Sequence, residues 1–281
     1  MARRTEEAGG GFCGMPAAMR IARVAPHYWE EPPISGRHGT GAVFFSGCSL
    51  RCAFCQNADI SHRGEGRPFT PRQLSDSLRR LADLGVESIS LITGTPFVPL
   101  ILDTLDLWKP DLPIVWNTSG YETVETLRAL EGAVDVYLPD LKHLSARMSA
   151  LCAGAPDYFE RASAAILEMA RQQPVNEYLP SGILRRGMIV RHLILPGLTS
   201  ESISLLDWLA ASCPGRPVSL MSQYLPMNGV SIPGLDRRVT AREYRRVRDH
   251  MLALGLDGFE QEAESAAADF VPAFNRDESF V

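Results

Sequence analysis

The 281-residue chain is 45% hydrophobic and carries 28 Lys and Arg against 33 Asp and Glu, for a net charge of −5. That is enough apolar residue for one large core, and the mildly acidic balance leaves no footprint for nucleic acid or a membrane surface. No apolar run approaches the roughly 18 residues that span a bilayer, and the charged start Met1–Glu7 is followed by no apolar h-region of a secretory signal, so the expected location is cytoplasmic.

Residues 1–40 are rich in Gly, Pro and charge. They read as an N-terminal leader of little regular structure that packs on the body formed by residues 41–281, which ends in a C-terminal extension. Runs rich in β-branched and aromatic residues predict strands at Ala42–Ser46, Ser88–Thr93, Ile114–Thr118, Val134–Leu138, Met188–Leu195 and Val218–Ser222. Helical patterns lie between them. Thr70 as N-cap and Pro71 at the first helical position open a helix that stops at Gly85. Further helices are expected at Pro99–Trp108, Thr123–Leu130, Asp157–Gln172, Ser200–Ala211 and Ala241–Leu254. The last carries Arg242, Arg245, Arg246 and Arg248, which in an acidic chain read as a solvated face.

A strand–helix unit repeated about six times predicts an α/β fold with a parallel sheet and right-handed crossovers. In a closed or partly closed barrel the chemistry sits at the C-terminal strand ends. The loop after the first of these strands holds Cys48-Ser49-Leu50-Arg51-Cys52-Ala53-Phe54-Cys55. Three thiolates in a C-x3-C-x2-C run can hold three corners of an iron–sulfur cube and leave the fourth iron open to a ligand. No fourth cysteine lies close by; His38 and His62 are the nearest alternatives, and a structural zinc site is the competing reading. Cys13, Cys152 and Cys213 stand alone, so the pattern is not a disulfide framework. Gly47 lets the backbone turn into the loop, Phe54 can shield a cluster from water, and Arg51 reads as either a counter-charge or a surface residue.

This loop resembles the signature of the radical S-adenosylmethionine (SAM) superfamily. The resemblance implies that Cys48, Cys52 and Cys55 bind a [4Fe–4S] cluster whose open iron is chelated by SAM. It further implies that the reduced cluster cleaves SAM to methionine and a 5′-deoxyadenosyl radical, which abstracts a hydrogen atom. Segments Ala42–Asn57, Val115–Gly120, Val134–Lys142 and Ile189–Gly197 look like pyruvate formate-lyase activating enzyme and its relatives. A branch of Fe–S proteins homologous to that activase is similar also at Glu30–Gly36, Asn117–Tyr121, Tyr137–Lys142, Val190–Leu193 and Gln223-Tyr224. The implied fold is a partial (β/α)6 TIM-like barrel.

The resemblance implies SAM contacts at Thr93, Gly94, Asn117, Ser119, Asp140, Lys142 and Arg191. The turn Thr93-Gly94-Thr95-Pro96 lacks the acid that usually meets the methionine amino group, and Asn117 stands where the activases carry a cation-binding Asp. Asp140 and Lys142 also read as an ordinary loop ion pair. Residues alternate faces along a strand, so Arg191 and His192 point opposite ways, and Arg191 is the one expected inward. His27, Tyr28 and Trp29 precede Glu30-Glu31; they read either as a substrate mouth or as a leader packed across the barrel, with Trp29 in an apolar notch. Relatives often carry cysteines upstream of a Gly-Phe-Cys-Gly element. Here Gly11–Gly14 is kept without them, so either the true start lies further upstream or the accessory site has decayed.

The implied activity is activation of a glycyl-radical partner enzyme or hydrogen abstraction from a small metabolite or peptide. A non-catalytic Fe–S electron-transfer protein is the alternative from another class. Expected partners are a flavodoxin or ferredoxin as electron donor and either a protein or a small-molecule substrate, with no nucleic acid and no membrane.

Overall fold

A computed structural model of the chain describes residues 4–261 together with 274, 280 and 281. The expected leader without regular structure is corrected at Met19–His27, which forms a nine-residue strand, β1. A register shift between Ile21 and Arg23 interrupts its alternation of faces, which hides it from a period-two reading. β1 runs antiparallel to β2 (Thr40–Phe45) and brings His27 opposite Thr40, at the N-terminal end of β2. Between them the short helix α1 (Pro32–Ser35) returns the chain.

The expected strand–helix order follows. After β2 come α2 (Ala58–Ser61), β3 (Arg67–Phe69), α3 (Pro71–Asp83), β4 (Ser88–Ile92), α4 (Val98–Leu107), β5 (Ile114–Thr118), α5 (Val124–Ala129) and β6 (Val136–Pro139). Then come α6 (Ala146–Ala153), α7 (Tyr158–Gln172), β7 (Glu177–Tyr178), β8 (Leu184–Met188), β9 (Val190–Leu193), α8 (Thr199–Ser212), β10 (Val218–Met221), α9 (Ala241–Ala253) and β11 (Gly258–Gln261). The Thr70 hydroxyl accepts from Gln73 N while the Gln73 side chain accepts from Thr70 N, a reciprocal cap that begins α3 where the sequence places it.

β2, β4, β5, β6 and β8 pair in parallel, as do β9, β10 and β11. The expected strand Met188–Leu195 is shared between these two sheets. The chain pairs with β6 up to Met188, passes Ile189, and pairs with β10 from Val190. A bridge from Asp140 to Arg191 carries β6 on toward β9. The result is a curved parallel sheet with helical crossovers, a partial barrel. Among the described residues no helix is long and apolar enough to cross a membrane.

Alternation along the strands separates two apolar layers. Ile114 and Trp116 of β5 and Tyr137 of β6 join the main core with α3, α4 and α7. Val115, Val136, Leu138 and Ile189 point to the other side, where Ile34 of α1 plugs them. Ser88, first in β4, donates its hydroxyl proton to Ile34 O at 2.8 Å, so that plug lies at the N-terminal strand ends. Continuing each inward series by two residues gives Asn117, Asp140 and Arg191. Polar residues thus replace apolar ones on the inner face as each strand nears its C-terminal end.

Candidate active site

At those ends lies a cavity of about 330 Å³. Cys48, Cys52 and Cys55 line it, with Thr93, Asn117, Ser119, Asp140, Lys142 and Arg191 of the expected set. Gly94 is not among the lining residues. A side chain there would meet Ile101 and Trp116 at 2.6 and 2.8 Å, so packing behind the sheet is what keeps the position a glycine.

The cysteine loop is held from three sides. Gly47 turns into it at φ +81°, and a Cβ there would lie 2.2 Å from Met15 Cγ. Arg51 donates to Ser61 O (2.9 Å) and Phe12 O (2.7 Å) and sits over the Phe12 ring, so it fastens the loop to the leader. Phe54 packs edge-on against Tyr224 with centroids 5.1 Å apart, and Asn228 donates to Cys55 O at 2.6 Å. The segment between β10 and α9 therefore covers the loop. Cys13 is buried beneath it and accepts from Arg4 Nη2 at 3.2 Å.

Burial pushes the Cys48 thiol up to about 11 and Cys52 up to about 12. These two thiols are poor thiolates by themselves, and a bound metal inverts that preference. Leu50 N already donates toward Cys48 Sγ at 3.4 Å, and Cys55 Sγ lies 3.2 Å from Ser61 Oγ, the kind of contact that supports a ligating sulfur. No three His, Cys, Asp or Glu side chains converge on one ion among the described residues. In a cubane each thiolate takes an iron of its own. The donor set fits a [4Fe–4S] cluster.

Behind the cysteines is a buried ionic network. Asp140 accepts from Lys142 Nζ at 2.6 Å and from Arg191 Nε at 2.9 Å. Arg191 Nη2 donates to Asn117 Oδ1 at 2.6 Å, and Asn117 Nδ2 donates to Glu30 Oε1 at 2.8 Å. An arginine has only donors, which fixes the amide orientation of Asn117 and turns its NH2 toward Glu30. Burial opposes ionisation of Asp140, but Arg191 and then Lys142 outweigh it and hold its pKa below the usual value. Burial likewise works against the charge of Lys142, and Asp140 and Cys52 more than offset it. The Tyr158 hydroxyl lies 2.8 Å from both Ser119 O and Asp140 O and accepts from Lys142 N, tying the ends of β5 and β6 together. His192 points away, between Leu141 O and Ser202 Oγ.

Glu30 and Glu31 also line the cavity, with Glu31 only 1% exposed. Trp29, 62% exposed, fills no apolar notch. Glu122 went unnoticed in the sequence. It is buried and accepts from Trp116 Nε1 (2.8 Å), Thr95 Oγ1 (3.1 Å) and Thr118 Oγ1, so it braces the turn after β4 against β5. Burial raises its pKa above 4.5, with no cation beside it. Its contribution to stability is full below the unfolded carboxylate pKa and is lost as pH rises through the raised folded one. Glu122→Gln keeps the acceptor and discharges the group, so melting curves are expected to favour the variant more at alkaline than at acid pH. A pH-independent difference would refute an ionisable Glu122.

Residues 42–209 match the family model described as the radical SAM superfamily. An uncharacterised protein of Methanocaldococcus jannaschii is 28% identical over 266 residues, covering 91% of this chain and 72% of its own length. Among solved structures, a radical SAM methyltransferase from Sphaerobacter thermophilus superposes with a TM-score of 0.56 at 16% identity, covering 82% of this chain and 69% of that one. Streptococcus suis SuiB gives 0.50 at 14% identity over 79% of this chain, which spans about half (49%) of that protein. With the family model covering more than half of its length, the chain belongs to the radical SAM superfamily, whose members are enzymes that use a [4Fe–4S] cluster and S-adenosylmethionine.

Proposed function

We propose that Cys48, Cys52 and Cys55 hold the cluster and that the enzyme abstracts a hydrogen atom from a small polar substrate seated in the barrel beneath it. The observation that carries this reading is one cavity lined at one end by three cysteines and further in by buried Glu31 and Asp140 and half-buried Glu30 and Arg191. Buried charge is costly and suits recognition of a polar ligand. The α-carbon of a glycine in a protein backbone has no charge to offer it.

The chemistry supplied by the bound cofactor pair is one-electron cleavage of SAM and hydrogen abstraction by the resulting 5′-deoxyadenosyl radical. The chain's own residues bind and orient. Lys142, near Cys52, offers a counter-charge to the SAM carboxylate. The Thr93 and Ser119 hydroxyls accept from its ammonium in place of the missing acid. Asp140, Asn117 and Arg191 hold one another in position. Phe54, Tyr224 and Leu235 exclude water from the cysteine end. A flavodoxin or ferredoxin supplies the electron.

Activation of a glycyl-radical enzyme is the second reading. Tyr28 and Trp29, 57% and 62% exposed, favour it as an aromatic contact for a protein. Protein reconstituted anaerobically with iron and sulfide, given dithionite and SAM, is expected to form 5′-deoxyadenosine and methionine. Absence of cleavage with an intact cluster would sink the enzyme reading. A glycyl-radical signal raised on a partner enzyme would select the second substrate reading over the first.

A further inference from the structure

Glu30 and Glu31 are two of the charged residues that line the cavity. β1 delivers them from the N-terminal strand ends, where His27 pairs with Thr40, so they face the cysteines from the opposite end. Glu31 caps α1 through its backbone, and its side chain takes no part in the cap.

One arginine serves three acids here. Arg191 commits Nε to Asp140 and Nη2 to Asn117, and only Nη1 faces Glu30 Oε2, at 3.6 Å, beyond hydrogen-bond reach. Lys142 is engaged with Asp140. Glu30 Oε2 and Glu31 Oε2 are both fully buried with no hydrogen-bond partner. A buried carboxylate oxygen left unpaired is costly, and the cost is recovered when a donor arrives. Both residues line one cavity, where the three acids Glu30, Glu31 and Asp140 meet the two cations Lys142 and Arg191.

We infer that this floor receives an organic cation, a protonated amine or guanidinium on the substrate. A neutral donor would pair the oxygens but leave the surplus negative charge uncompensated, and an anion would be repelled. Burial pushes Glu31 up to about 7, with Arg191 offsetting it in part and Glu30 adding to it. Burial raises Glu30 as well. The groups facing Glu31 are Glu30 on its own loop, Arg191 on β9 and the neutral Ser219 on β10, while Asp140 on β6 faces Arg191. Without ligand the floor takes up a proton in the neutral range, and a bound cation releases it.

The inference rests on the radical SAM reading only in assigning the cation to the substrate. Its test uses cluster-loaded protein with S-adenosylhomocysteine bound, titrated by calorimetry with agmatine, which carries both cationic groups, and with neutral N-butylurea. Agmatine is expected to bind at least about tenfold more tightly than N-butylurea, and Glu31→Gln to weaken it about tenfold. In the wild type, which avoids any folding defect of the variant, agmatine affinity is expected to rise as pH goes from about 6 to about 8. Equal binding of N-butylurea, a flat pH profile, or full agmatine affinity in folded Glu31→Gln would overturn the inference. So would loss of S-adenosylhomocysteine binding with agmatine binding intact, because the acids would then serve the cofactor; the radical SAM reading would survive. Glu31-dependent agmatine binding in a protein that does not cleave SAM would leave the cation site standing and remove the reading of its ligand as a radical substrate.

Discussion

Cys52→Ala is expected to purify colourless and, after anaerobic reconstitution, to hold almost none of the roughly four irons per chain of a [4Fe–4S] cluster. Cys52 is the middle cysteine of the loop, and without metal its thiol is held protonated by burial. Two thiolates remain in the loop of the variant, and the neighbouring thiols Cys13 and Cys152, packed against the back of the loop, do not line the cavity that the three loop cysteines share. Cys213→Ala, which removes a buried thiol from the main core, is expected to keep the iron. Brown colour and iron retained in Cys52→Ala would refute the ligand assignment. SAM cleavage should fall with the iron, because the open coordination position goes with the cluster.

The second large effect is expected at Arg191. Arg191→Met leaves Asp140 and Glu30 buried without their shared guanidinium. Removing one partner from a buried ion pair costs about 3–5 kcal/mol, which for a chain of this size lowers Tm by roughly 10 °C. The pH dependence gives the sign. Once the arginine is gone, Asp140 keeps Lys142 while Glu30, already raised by burial, loses the cation that opposed the rise, so the variant is least stable at alkaline pH and recovers as pH falls and Glu30 protonates. Arg191→Lys keeps the charge and loses the fork that reaches Asp140 and Asn117 together, so it should fall between the two. A Tm within about 2 °C of wild type at alkaline pH would mean that the network is not ionic.

Much of this site was legible in the sequence because its cues are local. The C-x3-C-x2-C spacing and the opposite faces of Arg191 and His192 follow from ligand chemistry and a period of two, while Asn117 and Asp140 entered through the resemblance. Gly94 reads as part of the cofactor turn through the resemblance alone, with an ordinary turn glycine as the alternative; Trp116 and Ile101, distant in sequence, are what fill the space beside it. β1 was hidden by its register shift, and α6 by its length of eight residues, although Ser145 as N-cap and Gly154 at φ +69° frame it.

Glu122 and the Glu30-Glu31 pair mark the other limit. An acid next to Tyr121 carries no local cue, and the two acids after Trp29 read only as the edge of a substrate mouth or as part of a leader packed across the barrel; carboxylates are seldom buried. Only the folded chain shows that three hydroxyl and indole donors surround Glu122, and that β1 carries Glu30 to within 2.8 Å of Asn117, 87 residues further along. The sequence by itself determined the alternating strand–helix order, the cysteine loop at the C-terminal end of the first parallel strand and the opposite faces of Arg191 and His192, since each depends on short-range periodicity and spacing. The tertiary structure alone decided that one arginine answers three acids and that two carboxylate oxygens are buried without a hydrogen bond. That balance of charge exists only where strands distant in sequence meet.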